Sequence, residues 1–142
     1  MLLEKSFIIY RLNSFSRNLR SELKKSRKIY FIDNGIRNAI IGDYKDISLR
    51  NDTGALWENF IISERKKYLS YHNIYANTYF WRTTAQQEID YIEEINGQLY
   101  AYEFKWNKNS KARITKTFTN AYPNAITKII SPDNIEAFIL NK

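Results

Sequence analysis

The dipeptide Asn96-Gly97 stands between two runs of alternating character, EIDYIEE (88–94) and QLYAYEFKW (98–106). Asn-Gly suits the left-handed backbone of a type I′ turn, whose twist matches that of paired strands. The two runs are therefore expected to fold back as an antiparallel hairpin. A lone hairpin is barely stable in water, so other elements must cover it. Further β-type runs are KIYFID (28–33), TYFWR (78–82), AITKIIS (125–131) and EAFIL (136–140). LLEKSFIIYRL (2–12) reads as a strand or hairpin arm, and 14–27 as a loop with a short helical or irregular piece. IRNAII (36–41) reads as a short helix that Gly42 ends. A long helix begins near Asp52 or Thr53, either of which can cap it, and sets Trp57, Phe60, Ile61, Glu64 and Tyr68 near one face. Residues 110–121 are basic and read as helical. The order β–α–long α–β–β–β–α–β–β predicts an α/β fold around one central sheet.

Composition narrows the function classes. The chain has 142 residues, 44% hydrophobic and 15% aromatic, enough for one packed domain. It has no cysteine, which excludes a disulfide framework, a thiolate zinc site and a cysteine nucleophile. Glu4 and Lys5 interrupt the apolar start, and no apolar run approaches the roughly 20 residues of a membrane span. The expectation is a cytoplasmic protein with no membrane partner. No G-x-x-x-x-G-K-[ST] is present, so the chain has no phosphate loop for ATP. The net charge of +7 favours polyanions such as nucleic acid, although solubility alone accounts for much basic charge.

Chemistry concentrates on the hairpin. Strand alternation puts Leu99, Ala101, Glu103 and Lys105 on one face and Tyr100, Tyr102 and Phe104 on the other. The turn brings Asp90 roughly opposite Glu103. Two converging carboxylates repel unless a cation lies between them, and hard Mg²⁺ or Mn²⁺ suits such oxygens. Asp90 and Glu103 are thus candidate metal ligands, with Lys105 placed to orient water or meet phosphate charge. By spacing alone a solvated Glu–Lys surface pair is the commoner outcome. Glu58 lies at the edge of the apolar stripe of the long helix; membership of the acidic cluster or a pairing with Arg65 would each explain it. Arg82 suits a phosphate contact or a pairing with Glu88. Lys105, Lys108, Lys111, Arg113 and Lys116 form a basic run that suits a nucleic-acid backbone or a solvated face. Trp106 and Tyr122 suit base stacking or the core.

Four stretches in order carry a family resemblance: KIYFIDNGIRNAIIG (28–42), GALWENFIISER (54–65), YFWRTTAQQEIDYIEE (79–94) and LYAYEFKW (99–106). Together, over about residues 15–130, the chain resembles the C-terminal domain of unknown function of prokaryotic AAA-type ATPases, a domain assigned to the PD-(D/E)XK nuclease-like superfamily. The resemblance implies a restriction-endonuclease-like mixed central sheet flanked by helices. It implies that 1–27 is a lead-in from an upstream ATPase module and that 28–142 is the nuclease-like domain. Carried over by residue, it implies catalytic roles for Glu58, Asp90, Glu103 and Lys105, with Mg²⁺ or Mn²⁺ on Asp90 and Glu103. The implied function is a metal-dependent DNA phosphodiesterase. The alternatives are an inactive DNA- or protein-binding accessory domain of the ATPase, and a dimerisation or regulatory domain.

Overall fold

The computed structural model describes residues 2–107, 109 and 113–140. The chain runs through α1 (Leu2–Lys5), β1 (Ile9–Ser14), β2 (Arg27–Phe31), α2 (Asn34–Ile41), a 3-10 turn (Ile47–Leu49) and α3 (Thr53–Tyr71). It continues through β3 (Asn77–Arg82), β4 (Glu88–Ile95), β5 (Gln98–Phe104), α4 (Lys116–Ala121), β6 (Ile126–Ile130) and α5 (Ile135–Ile139). The strands form one six-stranded mixed sheet of order β2-β1-β3-β4-β5-β6. β1 pairs parallel with β3 and β5 parallel with β6; the other pairings are antiparallel. The protein is thus a mixed α/β fold. Among the described residues no helix is long and apolar enough to cross a membrane.

Local chemistry explains most elements. Asn96 and Gly97 both have positive φ, 50° and 81°, and Ile95 pairs with Gln98 across the turn. Asp33 caps α2 by accepting from the Ile36 N–H, and Gly42 closes it in the left-handed conformation. Asp52 stands at the N-cap of α3, but Arg50 and Arg37 take its carboxylate, so it makes no side-chain cap.

Both faces of the sheet are covered. Leu12, Phe80, Tyr91, Tyr102 and Phe104 pack against Trp57, Ile61 and Ile62 of α3 and Phe138 of α5. On the other face, Trp81, Ile89, Ile92 and Ala101 pack against Phe118 of α4. Phe60 was expected in the apolar face of α3; it is exposed and stacks on Trp57, while Trp57, Ile61 and Tyr68 are buried.

Two expectations are corrected. Residues 2–5 are helical rather than extended: the N–H groups of Ser6, Phe7 and Ile8 bond back to the carbonyls of Leu2, Glu4 and Leu3. EAFIL is α5 rather than a strand. Ile135, Phe138 and Ile139 stand at i, i+3 and i+4 and face the core, so helical periodicity overrides the β-prone composition. Residues before 28 also supply parts of the sheet and the core. β1 lies between β2 and β3, and buried Glu22 accepts hydrogen bonds from Trp81 Nε1 at 2.8 Å and from the Tyr122 hydroxyl.

Candidate functional site

The hairpin β4–β5 positions the site at its open end, away from Asn96-Gly97. Two steps along β3, Tyr79 to Trp81, span three along β4, Ile92 to Ile89. β4 therefore carries a bulge at Asp90 and Tyr91. Bulges re-aim side chains: Ile89 and Ile92, three positions apart, pack in the same cluster, against the period of two. Glu88 and Asp90 lie toward α3, where they meet Glu58. One carboxylate oxygen of each of Glu58, Glu88 and Asp90 lies within 4.8 Å of the others.

Asp90 is bound into the sheet by its other role. The ladder between β4 and β5 ends at Tyr91–Tyr102, and beyond it Asp90 Oδ2 accepts the Phe104 N–H at 2.8 Å. Burial, then the charges of Glu58 and Glu103, push the Asp90 carboxyl up to about 7, against the pull of the Phe104 N–H and of Lys28. Glu103 is also raised, chiefly by burial, although Lys105 Nζ lies 3.0 Å from its Oε1. The second oxygen, Oε2, is buried with no hydrogen-bond partner. Lys105 is raised because its bond to Glu103, and the charges of Glu103, Asp90 and Glu58, outweigh burial.

Two side chains from β2 complete the cluster. Lys28 Nζ lies 2.9 Å from Glu58 Oε1 and also pairs with Glu88. Tyr30 donates its hydroxyl to Glu58 Oε1, and burial together with that carboxylate holds the phenol far above its usual range. The ammonium of Lys28 thus balances part of the charge that the three acids bring together.

The structure brings together Glu58 and Asp90 and adds Glu88, Lys28 and Tyr30. Glu103 and Lys105 pair with each other beside this group, and Glu103 lies outside the tight carboxylate set. Glu58 does not pair with Arg65, which binds buried Glu93 instead. Arg82 donates its Nε to Glu88 at 2.8 Å, so its guanidinium is already engaged. Tyr122 is buried and bonded to Glu22, which removes it from base stacking. Trp106 is exposed and packs edge-on against Trp57. Arg113 and Lys116 are exposed; Lys108 and Lys111 lie outside the described residues. Glu88 was legible only as a partner for Arg82, yet its place two residues before Asp90 put both on one strand face. KIY at 28–30 carries the same alternation for Lys28 and Tyr30.

The fold and cluster define a class: a mixed α/β domain that gathers partly buried acids at the open end of a central hairpin. The chain belongs to the family described as Domain of unknown function (DUF4143), whose model matches residues 53–137. Residues 1–46 match a second model, also described as a domain of unknown function (DUF8612). The chain is similar to uncharacterized proteins of Mycobacterium bovis and Mycobacterium tuberculosis, each 26% identical over 118 residues. These alignments cover 82% of this chain and 25% of each relative, so the chain spans about a quarter of the length of the curated relatives it matches. No solved structure matches the chain.

Proposed function

We propose that this is a PD-(D/E)XK-like domain that hydrolyses phosphodiesters of nucleic acid, DNA in the first instance, with Mg²⁺ or Mn²⁺. One observation carries the reading: Glu58, Glu88 and Asp90 each bring a carboxylate oxygen within 4.8 Å of the others. Three hard oxygen donors fit a small divalent cation and leave room for its waters. Glu58, Glu88 and Asp90 would hold the ion, with Glu103 at its margin. When bound, the ion supplies Lewis-acid polarisation of a phosphoryl oxygen and a more acidic water. Asp90 would have to be ionised to hold the ion. Lys105, anchored by Glu103, offers its ammonium to negative charge that develops on phosphate. Arg113 and Lys116 supply exposed positive charge for the nucleic-acid backbone. In a longer protein the domain would serve an AAA-type ATPase module.

The test is Mn²⁺ binding by calorimetry and cleavage of plasmid DNA, each with the wild type, Asp90→Asn and Lys105→Met. Saturable Mn²⁺ binding that Asp90→Asn abolishes, with metal-dependent cleavage that both variants lose, supports the proposal. Equal Mn²⁺ binding by wild type and Asp90→Asn overturns it.

A specific observation favours a second reading, a non-catalytic DNA- or protein-binding accessory domain. Lys28 already bridges Glu58 and Glu88, and Tyr30 occupies Glu58, as in an ion cluster kept for structure. That reading expects DNA binding without turnover, weakened in Arg113→Glu and Lys116→Glu proteins, with a shallower salt dependence.

A further inference from the structure

A groove of about 510 Å³ runs between α1, β1 and α3, lined by Phe7, Ile9, Tyr10, Ile32, Lys66 and Tyr71 among others. Its walls are largely apolar, and its size is that of a small-molecule site. Lys66 is the feature that does not fit an inert surface groove. Its ammonium lies over the Tyr10 ring, 4.9 Å from the centroid. Among the described residues it forms no ion pair. The nearby acids are committed elsewhere: Glu64 to Lys67 at 2.6 Å, and Glu4 to Arg11. Burial holds the Lys66 amine below the usual lysine range. A partly buried cation without a carboxylate is unfavourable unless something else satisfies it.

The rim carries a second, independent irregularity. Phe7 has a left-handed backbone, φ 56°, and the residue is 79% exposed at the mouth of the groove. Bulky residues rarely adopt that conformation, and a strained, exposed aromatic marks a contact surface. The Tyr10 hydroxyl, bonded to Ser63 Oγ at a long 3.3 Å, adds a donor beside Lys66.

We propose that this groove binds a small amphiphilic carboxylate, its apolar body along Phe7, Ile9 and Ile32 and its carboxylate on the Lys66 ammonium. Lys67 and Glu4 also line the trough but are paired, with Glu64 and Arg11, which leaves Lys66 as the lining cation without a carboxylate and matches a ligand with one charged head. An acidic protein segment would be met by several cations along its length. The site is separate from the acidic cluster and does not depend on the nuclease reading.

The test is titration of the full chain with sodium decanoate, followed by amide NMR shifts, beside 1-decanol as the uncharged body. Decanoate is expected to shift the amides of Phe7, Ile9, Ile32 and Lys66 in a saturable way. Lys66→Met, which keeps the length and removes the charge, should weaken decanoate about tenfold or more and leave decanol unchanged. Lys67→Met should change decanoate affinity by less than about twofold, because that lysine already has a partner. A thermal melt of Lys66→Met that matches the wild type shows the variant is folded; if it is not folded, Lys66→Gln takes its place. Equal loss of both ligands, undiminished decanoate binding in a folded Lys66 variant, or shifts scattered over the surface would overturn the proposal. So would an acidic dodecapeptide that saturates these amides where decanoate does not.

Discussion

Replacing Asp90 with Asn should change how stability depends on pH far more than it changes the fold. The Asp90 carboxyl titrates near 7 in the folded protein, against an ordinary value of 3.8. Between these values the folded state keeps a proton that the unfolded chain has released. The unfolded state then binds fewer protons, so wild-type stability falls as pH rises through this window. The gap is about three pKa units, and at 1.36 kcal/mol per unit it amounts to about 4 kcal/mol once pH exceeds 7. Asn has the same shape, carries no charge, and its amide oxygen can still accept the Phe104 N–H. The variant should therefore match the wild type near pH 4 and exceed it by up to about 4 kcal/mol at pH 8. The assay is urea denaturation of both proteins in EDTA, followed by tryptophan fluorescence, at steps between those limits. Groups far from the cluster are common to both proteins, so the difference reports residue 90 together with its coupling to Glu58, Glu103 and Lys28. Parallel stability curves across the window would refute the reasoning, because they would mean the carboxyl is no harder to ionise in the fold than outside it.

Three further outcomes follow from named contacts. Lys28→Met, measured without metal at pH 8, should destabilise the fold by about 3 kcal/mol, because Glu58 and Glu88 lose their shared counter-charge; by calorimetry it should bind Mn²⁺ roughly tenfold or more tightly, since a competing cation is gone. Glu93→Gln should cost about 3 kcal/mol in urea melts by leaving half-buried Arg65 short of an anion, whereas Arg65→Met with Glu93→Leu should restore most of the loss. Phe138→Ala should cost about 3–5 kcal/mol and speed hydrogen exchange in α5, since that ring packs on Tyr102 and Phe104.

Local signals gave the right local answers. Asn96-Gly97 specified its turn, Gly42 ended α2, and the long apolar stripe marked α3. Where the sequence misled, two local rules competed. In EAFIL the β-prone side chains argued for a strand, while the spacing of Ile135, Phe138 and Ile139 argued for a helix, and burial of Phe138 decided. The site was legible in part. Asp90 could be named because the Asn96-Gly97 turn sets it roughly opposite Glu103, and Glu58 because it lies at the edge of an apolar stripe. The bulge at Asp90 and Tyr91 leaves no trace in a single sequence, so the switch of face between Asp90 and the rest of β4 was hidden. Lys28 and Tyr30 reach Glu58 across 30 and 28 positions of chain, a distance over which residue patterns carry no information.

The place of β1 in the sheet bears on how the chain acquires its structure. Asn13 and Ser14 pair with Tyr79 and Phe80, so this strand must wait for partners made more than sixty positions later. Its antiparallel pairing with β2 closes a much shorter loop and can form first. Until β3 arrives, one side of β1 is an open edge, with free backbone groups and the apolar side chains of Ile9 and Leu12. Such edges recruit other strands. Synthesis at about 5–20 residues per second keeps that edge exposed for several seconds. The slow step in folding, and the interval of greatest risk of aggregation, should therefore be the parallel docking of β3 onto a hairpin that is already formed.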